Sequence, residues 1–219
     1  MNDTKIPATY DRLLENLKRL EGGVIHHNRG EIDITTGYGV YKGEQPYANV
    51  FDYIVEVSQS LGITKHSRMW TPNEIDRVNA AIDPEIDKYN HYVFYKNYFK
   101  RVELDIAHPL VFDTIVSLYT NDQKLYTLSL QKALNDLVRI HKLDVVYPTL
   151  KEDGSMGEKT LTNFRIVSQL GTEINRELKY LLLLHAKTYY ITLATMSPTK
   201  YGQYLRGWNN RVDDLICSR

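Results

Sequence analysis

Apolar positions recur at helical spacing close to the start of the chain. Tyr10, Leu13, Leu14, Leu17 and Leu20 stand among charged residues, which predicts an amphipathic helix from about residue 9 to 21. Gly22 and Gly23 then end it, since residues without a Cβ readily take the backbone conformation that closes a helix. The next twenty residues hold Gly30, Gly37, Gly39 and Gly43 around two β-prone pieces, Glu31–Thr35 and Tyr38–Tyr41, and read as a small irregular hairpin. Beyond it the helical period dominates. Phe51–Leu61 carries Ile54, Val55, Val57 and Leu61 and stops at Gly62. Thr71-Pro72-Asn73-Glu74 combines an N-cap, a first-turn proline and a reciprocal glutamate, so a helix starts there. Pro84–Phe99 reads as an unusually aromatic helix, His108-Pro109 opens another, Asn121-Asp122 breaks it, and Leu125–Ile140 follows. Glu152–Gly157 is a loop, Glu158–Leu170 resumes as helix, Glu173–Thr195 is long and largely buried, and Ser197-Pro198-Thr199 starts a last helix. The expectation is a mainly α fold of some eight helices with one small hairpin near the N-terminus. No internal repeat, low-complexity tract or long linker interrupts it.

Composition narrows the function classes. The chain has 219 residues, of which 42% are hydrophobic, enough for a proper core and against disorder. Twenty-seven basic residues balance 27 acidic ones, so no long-range field recruits nucleic acid or anionic lipid. The single cysteine, Cys217, excludes an internal disulfide framework and any multi-cysteine metal site. The N-terminus lacks the apolar core of a signal peptide, and the most apolar run, Leu181–Leu184, is broken by His185 and Lys187. No membrane insertion is expected. Tyrosine is the oddity: 17 copies against five phenylalanines and two tryptophans suit partly wet grooves as well as cores.

The candidate chemistry centres on Glu21. At a helix C-terminus the macrodipole disfavours a carboxylate, and a leucine face beside it removes water; both are expected to favour the protonated acid. Such an acid can protonate a leaving glycosidic oxygen, and Gly22-Gly23 leave room beside it. Glu31 and Asp33, ten and twelve residues on, offer a second carboxylate, with Thr35 and Thr36 to hold a water. His27, Tyr38 and Gly39 are the candidate substrate contacts. A metal site from His26, His27, Glu31 and Asp33 is disfavoured, since adjacent histidines on an extended stretch point to opposite faces. No metal and no cofactor is expected. Trp208 reads as a lobe-closing residue before it reads as a saccharide platform.

Three segments carry a family resemblance. Glu21-Gly22-Gly23 followed by Thr35-Thr36-Gly37-Tyr38-Gly39-Val40 resembles the start of the lysozyme-like superfamily, and the Glu-Gly-Gly form resembles glycoside hydrolase family 108, the N-acetylmuramidases of phages and Gram-negative bacteria. Asp153-Gly154-Ser155-Met156-Gly157-Glu158-Lys159-Thr160-Leu161 is similar to the Asp-Gly-x-x-Gly-x-x-Thr-Leu signature of that family's peptidoglycan-binding region. Arg206-Gly207-Trp208-Asn209-Asn210-Arg211-Val212 resembles its closing segment. The resemblance spans roughly residues 10 to 217. It departs in the hairpin, where the family's Asp-Pro-Gly-Gly-x-Thr is replaced by Glu31-Ile32-Asp33-Ile34-Thr35-Thr36, so the second acid is either Glu31 or Asp33. Glu31 keeps the family's spacing to Thr36.

The resemblance implies an α+β lysozyme-like fold of two helical lobes with a substrate groove between them. Residues 1–102 would be the catalytic part and 103–219 the helical second lobe, together one structural unit. It also implies a peptidoglycan hydrolase that cleaves the β-1,4 bond between N-acetylmuramic acid and N-acetylglucosamine, with lytic transglycosylation as a variant chemistry. The rival is a non-catalytic lysozyme-fold component of a phage or cell-envelope machine that binds peptidoglycan. The expected partner is bacterial peptidoglycan, and the expected state a monomer. Without a signal peptide the enzyme would be made in the bacterial cytoplasm and reach the periplasm or wall through a phage holin or a similar route, as endolysins do.

Overall fold

The first helix, α1 (Ala8–Glu21), forms where Tyr10, Leu13 and Leu14 share one face, and all three are buried. The computed structural model describes residues 6–21, 25–27, 33–42, 48–142 and 148–217, with backbone alone considered at Leu20, Glu21, Ala48 and Asn49. These divide into two compact units, Met1–Lys100 and Arg101–Arg219. Among the described residues the fold is mainly α, with ten α-helices and one short antiparallel hairpin.

In the first unit α1 packs on α4 (Pro84–Tyr98), and α4 also packs on α2 (Ala48–Ser60). The Tyr10 and Tyr92 rings meet edge to face at 5.3 Å, and Lys88 Nζ donates to Asp11 and Glu15 at 2.7 Å each along the outer seam. Helix α3 (Pro72–Ala81) starts as the sequence predicts: the Thr71 hydroxyl accepts from the Glu74 N–H, and Glu74 Oε2 accepts from the Thr71 N–H at 2.7 Å. Strand β1 (His26–His27) pairs with β2 (Ile34–Thr35), in the register His26 to Thr35 and His27 to Ile34. The small hairpin expected near the N-terminus is present, with strands shorter than the β-prone pieces. Tyr38–Val40 is a turn, after which Tyr41 bridges Thr35 and the Lys42 N–H donates to the Ile34 carbonyl at 3.2 Å. The reason is local: Gly39 has φ +78°, outside strand geometry and in the region that favours glycine.

In the second unit the long helix α8 (Thr172–Met196) is central, packing against α5 (Pro109–Asn121), α6 (Gln123–Ile140) and α10 (Leu205–Cys217). Leu178, Leu182, Leu183 and Ala186 of α8 are buried, as are Phe112 and Ile115 of α5 and Leu130, Leu134 and Leu137 of α6. Asp122 both ends α5 and starts α6. Its N–H donates to the Leu118 carbonyl, and its Oδ1 accepts from the N–H groups of Lys124 and Leu125 at 2.9 and 3.0 Å. Helix α7 (Glu158–Gln169) follows the Glu152–Gly157 loop. The expected single last helix is instead α9 (Pro198–Tyr201), a 3-10 turn over Gly202–Tyr204, and α10. Gly202, with its poor helix propensity, stands at the break. No helix among the described residues is long and apolar enough to cross a membrane.

Candidate functional site

The chain that leaves α1 is caught again at Ile25, whose N–H donates to Asn79 Oδ1 at 2.8 Å while Asn79 Nδ2 donates to the Ile25 carbonyl at 3.0 Å. One side-chain amide of α3 therefore acts as a strand partner and fixes where the hairpin begins. β1 then presents His26 half-buried and His27 exposed, the alternation expected of adjacent residues on an extended stretch.

Asp33 lies in the floor of the hairpin and is 6% exposed. Its Oδ1 accepts from the Ser67 hydroxyl at 2.6 Å and from the Ile34 N–H at 2.8 Å, and His66 Nδ1 stands 3.6 Å from Oδ2. Lys42 Nζ donates to the same Ser67 oxygen at 2.9 Å. The Asp33 carboxylate thus ties β2 to the 3-10 turn Ser67–Met69. The buried carboxyl keeps hydrogen-bond partners on Oδ1, as a buried polar group requires.

Thr36 organises the turn. Its N–H donates to the Val40 carbonyl, and its carbonyl accepts from the Gly39 N–H, both at 2.9 Å. Its hydroxyl oxygen accepts from the N–H groups of Tyr38 and Val40 at 3.3 and 3.2 Å, and lies 2.8 Å from His91 Nε2. His91, fully buried in α4, has Nδ1 2.7 Å from the Asp87 carbonyl oxygen. A proton on Nδ1 satisfies every partner: Nδ1–H donates to Asp87, and Nε2 accepts the Thr36 hydroxyl proton. Two accepted bonds and one donated bond use the whole capacity of that hydroxyl. It has none left for a further ligand. Thr35, 3% exposed, lies in the same buried strand.

Tyr38 completes the turn. Its carbonyl accepts from the Tyr95 hydroxyl at 2.6 Å and its ring lies 4.4 Å from that of His91. Burial, with the Asp87 carboxylate adding to it, pushes the Tyr38 phenol up to about 12. Gly39 is exposed at the tip. Beside the turn lies a cleft of about 100 Å³, lined by Lys18, Ile25, Tyr38, Asn79 and Asp87 among others. Lys18 is in the last turn of α1, and Glu21 closes that helix one turn later. The Glu21 side chain and Glu31, like Gly22 and Gly23, lie outside the described residues. The structure therefore brings Thr36, Tyr38 and Lys18 to one cleft, and puts Asp33 and Thr35 in the buried base of the hairpin.

The sequence reading passed over Asn79, Ser67 and His91, which hold this hairpin. His91 had one signal, an imidazole four residues after Asp87 in a helix otherwise crowded with aromatic rings. Asn79 and Ser67 had none, since their partners are 54 and 34 residues away.

The second unit contains a comparable clamp. Gln131, on the buried side of α6, accepts from the Gly154 N–H at 2.9 Å and donates to the Ser155 carbonyl at 3.0 Å and to Asp153 Oδ1 at 3.2 Å. One turn later Asn135 brackets Leu150 in the same way, at 2.8 and 3.0 Å. Asp153 Oδ1 also accepts from the Ser155 N–H, and these hydrogen bonds hold its carboxyl below the usual carboxylate range. Gly154 has φ +72°, and Gly157 precedes the first turn of α7. The Asp-Gly-x-x-Gly pattern thus encodes a loop shape. Trp208 stacks on Tyr190 at 4.7 Å and closes α10 onto α8.

Residues 127–213, which include Gln131, the Asp153–Gly157 loop and Trp208, match a family model described as a predicted peptidoglycan domain. This makes the chain a peptidoglycan-related protein. No curated protein and no solved structure gives a match.

Proposed function

We propose that the protein is a peptidoglycan hydrolase, an N-acetylmuramidase that cleaves the β-1,4 bond between N-acetylmuramic acid and N-acetylglucosamine. The observation that carries the reading is a helix ending on Glu21 beside a clamped, glycine-rich hairpin, in a chain whose second unit matches a peptidoglycan family. Glu21 donates a proton to the leaving glycosidic oxygen. A second carboxylate activates water or stabilises positive charge on the sugar, and water adds across the broken carbon–oxygen bond. Asp33 is engaged by Ser67 and by the Ile34 N–H, which favours Glu31 for the second role. Thr36, Asn79 and His91 hold the hairpin still, and the cleft suits one small substituent of a sugar. The likeness to glycoside hydrolase family 108 supports an endolysin-type enzyme that reaches the wall by a holin or another release route.

A specific observation favours a second reading, a lysozyme-fold protein that binds the wall without cutting it: the Thr36 hydroxyl and Asp33 Oδ1 are both engaged by the scaffold. Dye release from labelled Gram-negative sacculi separates the two. The enzyme reading expects steady release by the parent chain, a drop of about a hundredfold or more in Glu21→Gln, and equal sedimentation of both with sacculi. Sedimentation of both without release by either replaces it with the binding reading.

A further inference from the structure

A cavity of about 400 Å³ opens in the second unit, unrelated to the hairpin. Leu110 from the first turn of α5, Leu183 from the middle of α8 and Ile216 from the last turn of α10 give it an apolar lining. Arg176, Lys179, Tyr180 and Leu183 follow one another on α8 at i, i+3, i+4 and i+7, the spacing of a single helix face. Leu183 is fully buried at the base of that face, whereas Tyr180 is 54% exposed. Among the described residues that line the cavity, the charged ones are both cations.

Each cation has an acidic neighbour. Arg176 pairs with Glu173, but both are well exposed, and such a pair contributes little. Burial lowers the pKa of Lys179, and the Asp113 carboxylate works in the opposite direction. A carboxylate entering the cavity would meet a partly desolvated ammonium and a guanidinium one turn apart, above an apolar wall of Leu110, Leu183 and Ile216. That combination suits a ligand with both carboxylates and methyl groups and suits a neutral glycan poorly.

We propose that this cavity binds the peptide stem of peptidoglycan. The stem is a short peptide with alanyl methyl groups and free carboxylates that outnumber its diaminopimelate ammonium. Its methyl groups pack on Leu110, Leu183 and Ile216, its carboxylates meet Lys179 and Arg176, and Tyr180 covers one side. The proposal rests on the peptidoglycan assignment, since Arg176, Lys179, Tyr180 and Leu183 lie inside the matched segment. It does not require that the protein cut glycan.

The test titrates the full-length chain with the free tetrapeptide L-Ala–γ-D-Glu–meso-diaminopimelate–D-Ala, followed by calorimetry and by methyl NMR of Leu183 and Ile216. The expected result is saturable binding with shifts at those methyl groups. Lys179→Glu and Arg176→Glu should each weaken it by about tenfold or more, the size of a lost charge-assisted hydrogen bond, while Lys200→Ala leaves it unchanged. Unaltered circular dichroism confirms that both variants fold, as expected for side chains at the surface. Absence of saturable binding overturns the proposal. So does binding indifferent to both charge reversals, or displacement of the peptide by chito-oligosaccharide. The tetrapeptide contains no glycosidic bond, so the two readings fail separately. A chain that cuts sacculi without binding the peptide refutes this inference alone, and one that binds it without cutting refutes only the enzyme reading.

Discussion

Thr36→Val preserves the shape of a buried side chain and deletes one oxygen that serves three partners. Its largest effect falls on His91, whose ring is fully buried and whose Nε2 loses a partner at 2.8 Å. A buried polar atom left without a partner costs about 1–3 kcal/mol. The bonds from the Tyr38 and Val40 N–H groups are long, at 3.3 and 3.2 Å, so about 0.5 kcal/mol each is a fair share. The expected loss is therefore about 2–4 kcal/mol, confined to the first unit. The two tryptophans make the assay selective, because Trp70 belongs to the first unit and Trp208 to the second. In a Trp208→Phe background, Trp70 fluorescence during urea unfolding reports on the unit that contains Thr36. Thr36→Ser is the control: it keeps the oxygen and loses one methyl group, at a cost of about 1 kcal/mol. Valine within about 0.5 kcal/mol of the parent, or serine as harmful as valine, would refute the idea that this hydroxyl holds the turn.

Two further predictions concern the scaffold. Gly154→Ala places a Cβ on backbone with φ +72° and 3.0 Å from the flexible Lys124 Cγ; the backbone strain should cost about 1–2 kcal/mol and speed hydrogen exchange of the residue-154 amide, which Gln131 accepts from. The Glu74 carboxylate accepts from Lys65 and Thr71, which lowers its pKa to about 2 in the folded chain from an ordinary 4.5. A lowered carboxylate pKa gives stability that is present above pH 4.5 and is lost as pH falls towards 2, so α3 should loosen across that window. A carboxyl NMR titration should show a midpoint near 2, and Glu74→Gln should flatten the acid dependence; a midpoint near 4.5 would refute the cap.

Helix starts were legible because they are local. Thr71, His108 and Asp122 each act within three residues of themselves, and the sequence shows all the partners they need. The long apolar period of α8 likewise announced a central helix. The hairpin was legible only as a place. Its register depends on Ile25 meeting Asn79 and on Asp33 meeting Ser67, pairings that no window of sequence contains. Thr36 shows the same limit from the other side: a hydroxyl in a glycine-rich turn suggests a water-holding group until His91, 55 residues on, is found 2.8 Å from it. Motif likeness was similarly ambiguous. Asp153-Gly154 reads as a signature of a binding region, and its atoms are engaged by Gln131 in shaping a loop.

The most direct measurement is the mass of the soluble fragments released from purified Gram-negative sacculi, with and without borohydride reduction. The account predicts disaccharide-peptides that end in reducible N-acetylmuramic acid, and their disappearance with Glu21→Gln. Fragments with 1,6-anhydro ends would mean that the sugar's own hydroxyl replaces water. Reducible N-acetylglucosamine ends, or no fragments at all, would contradict the account.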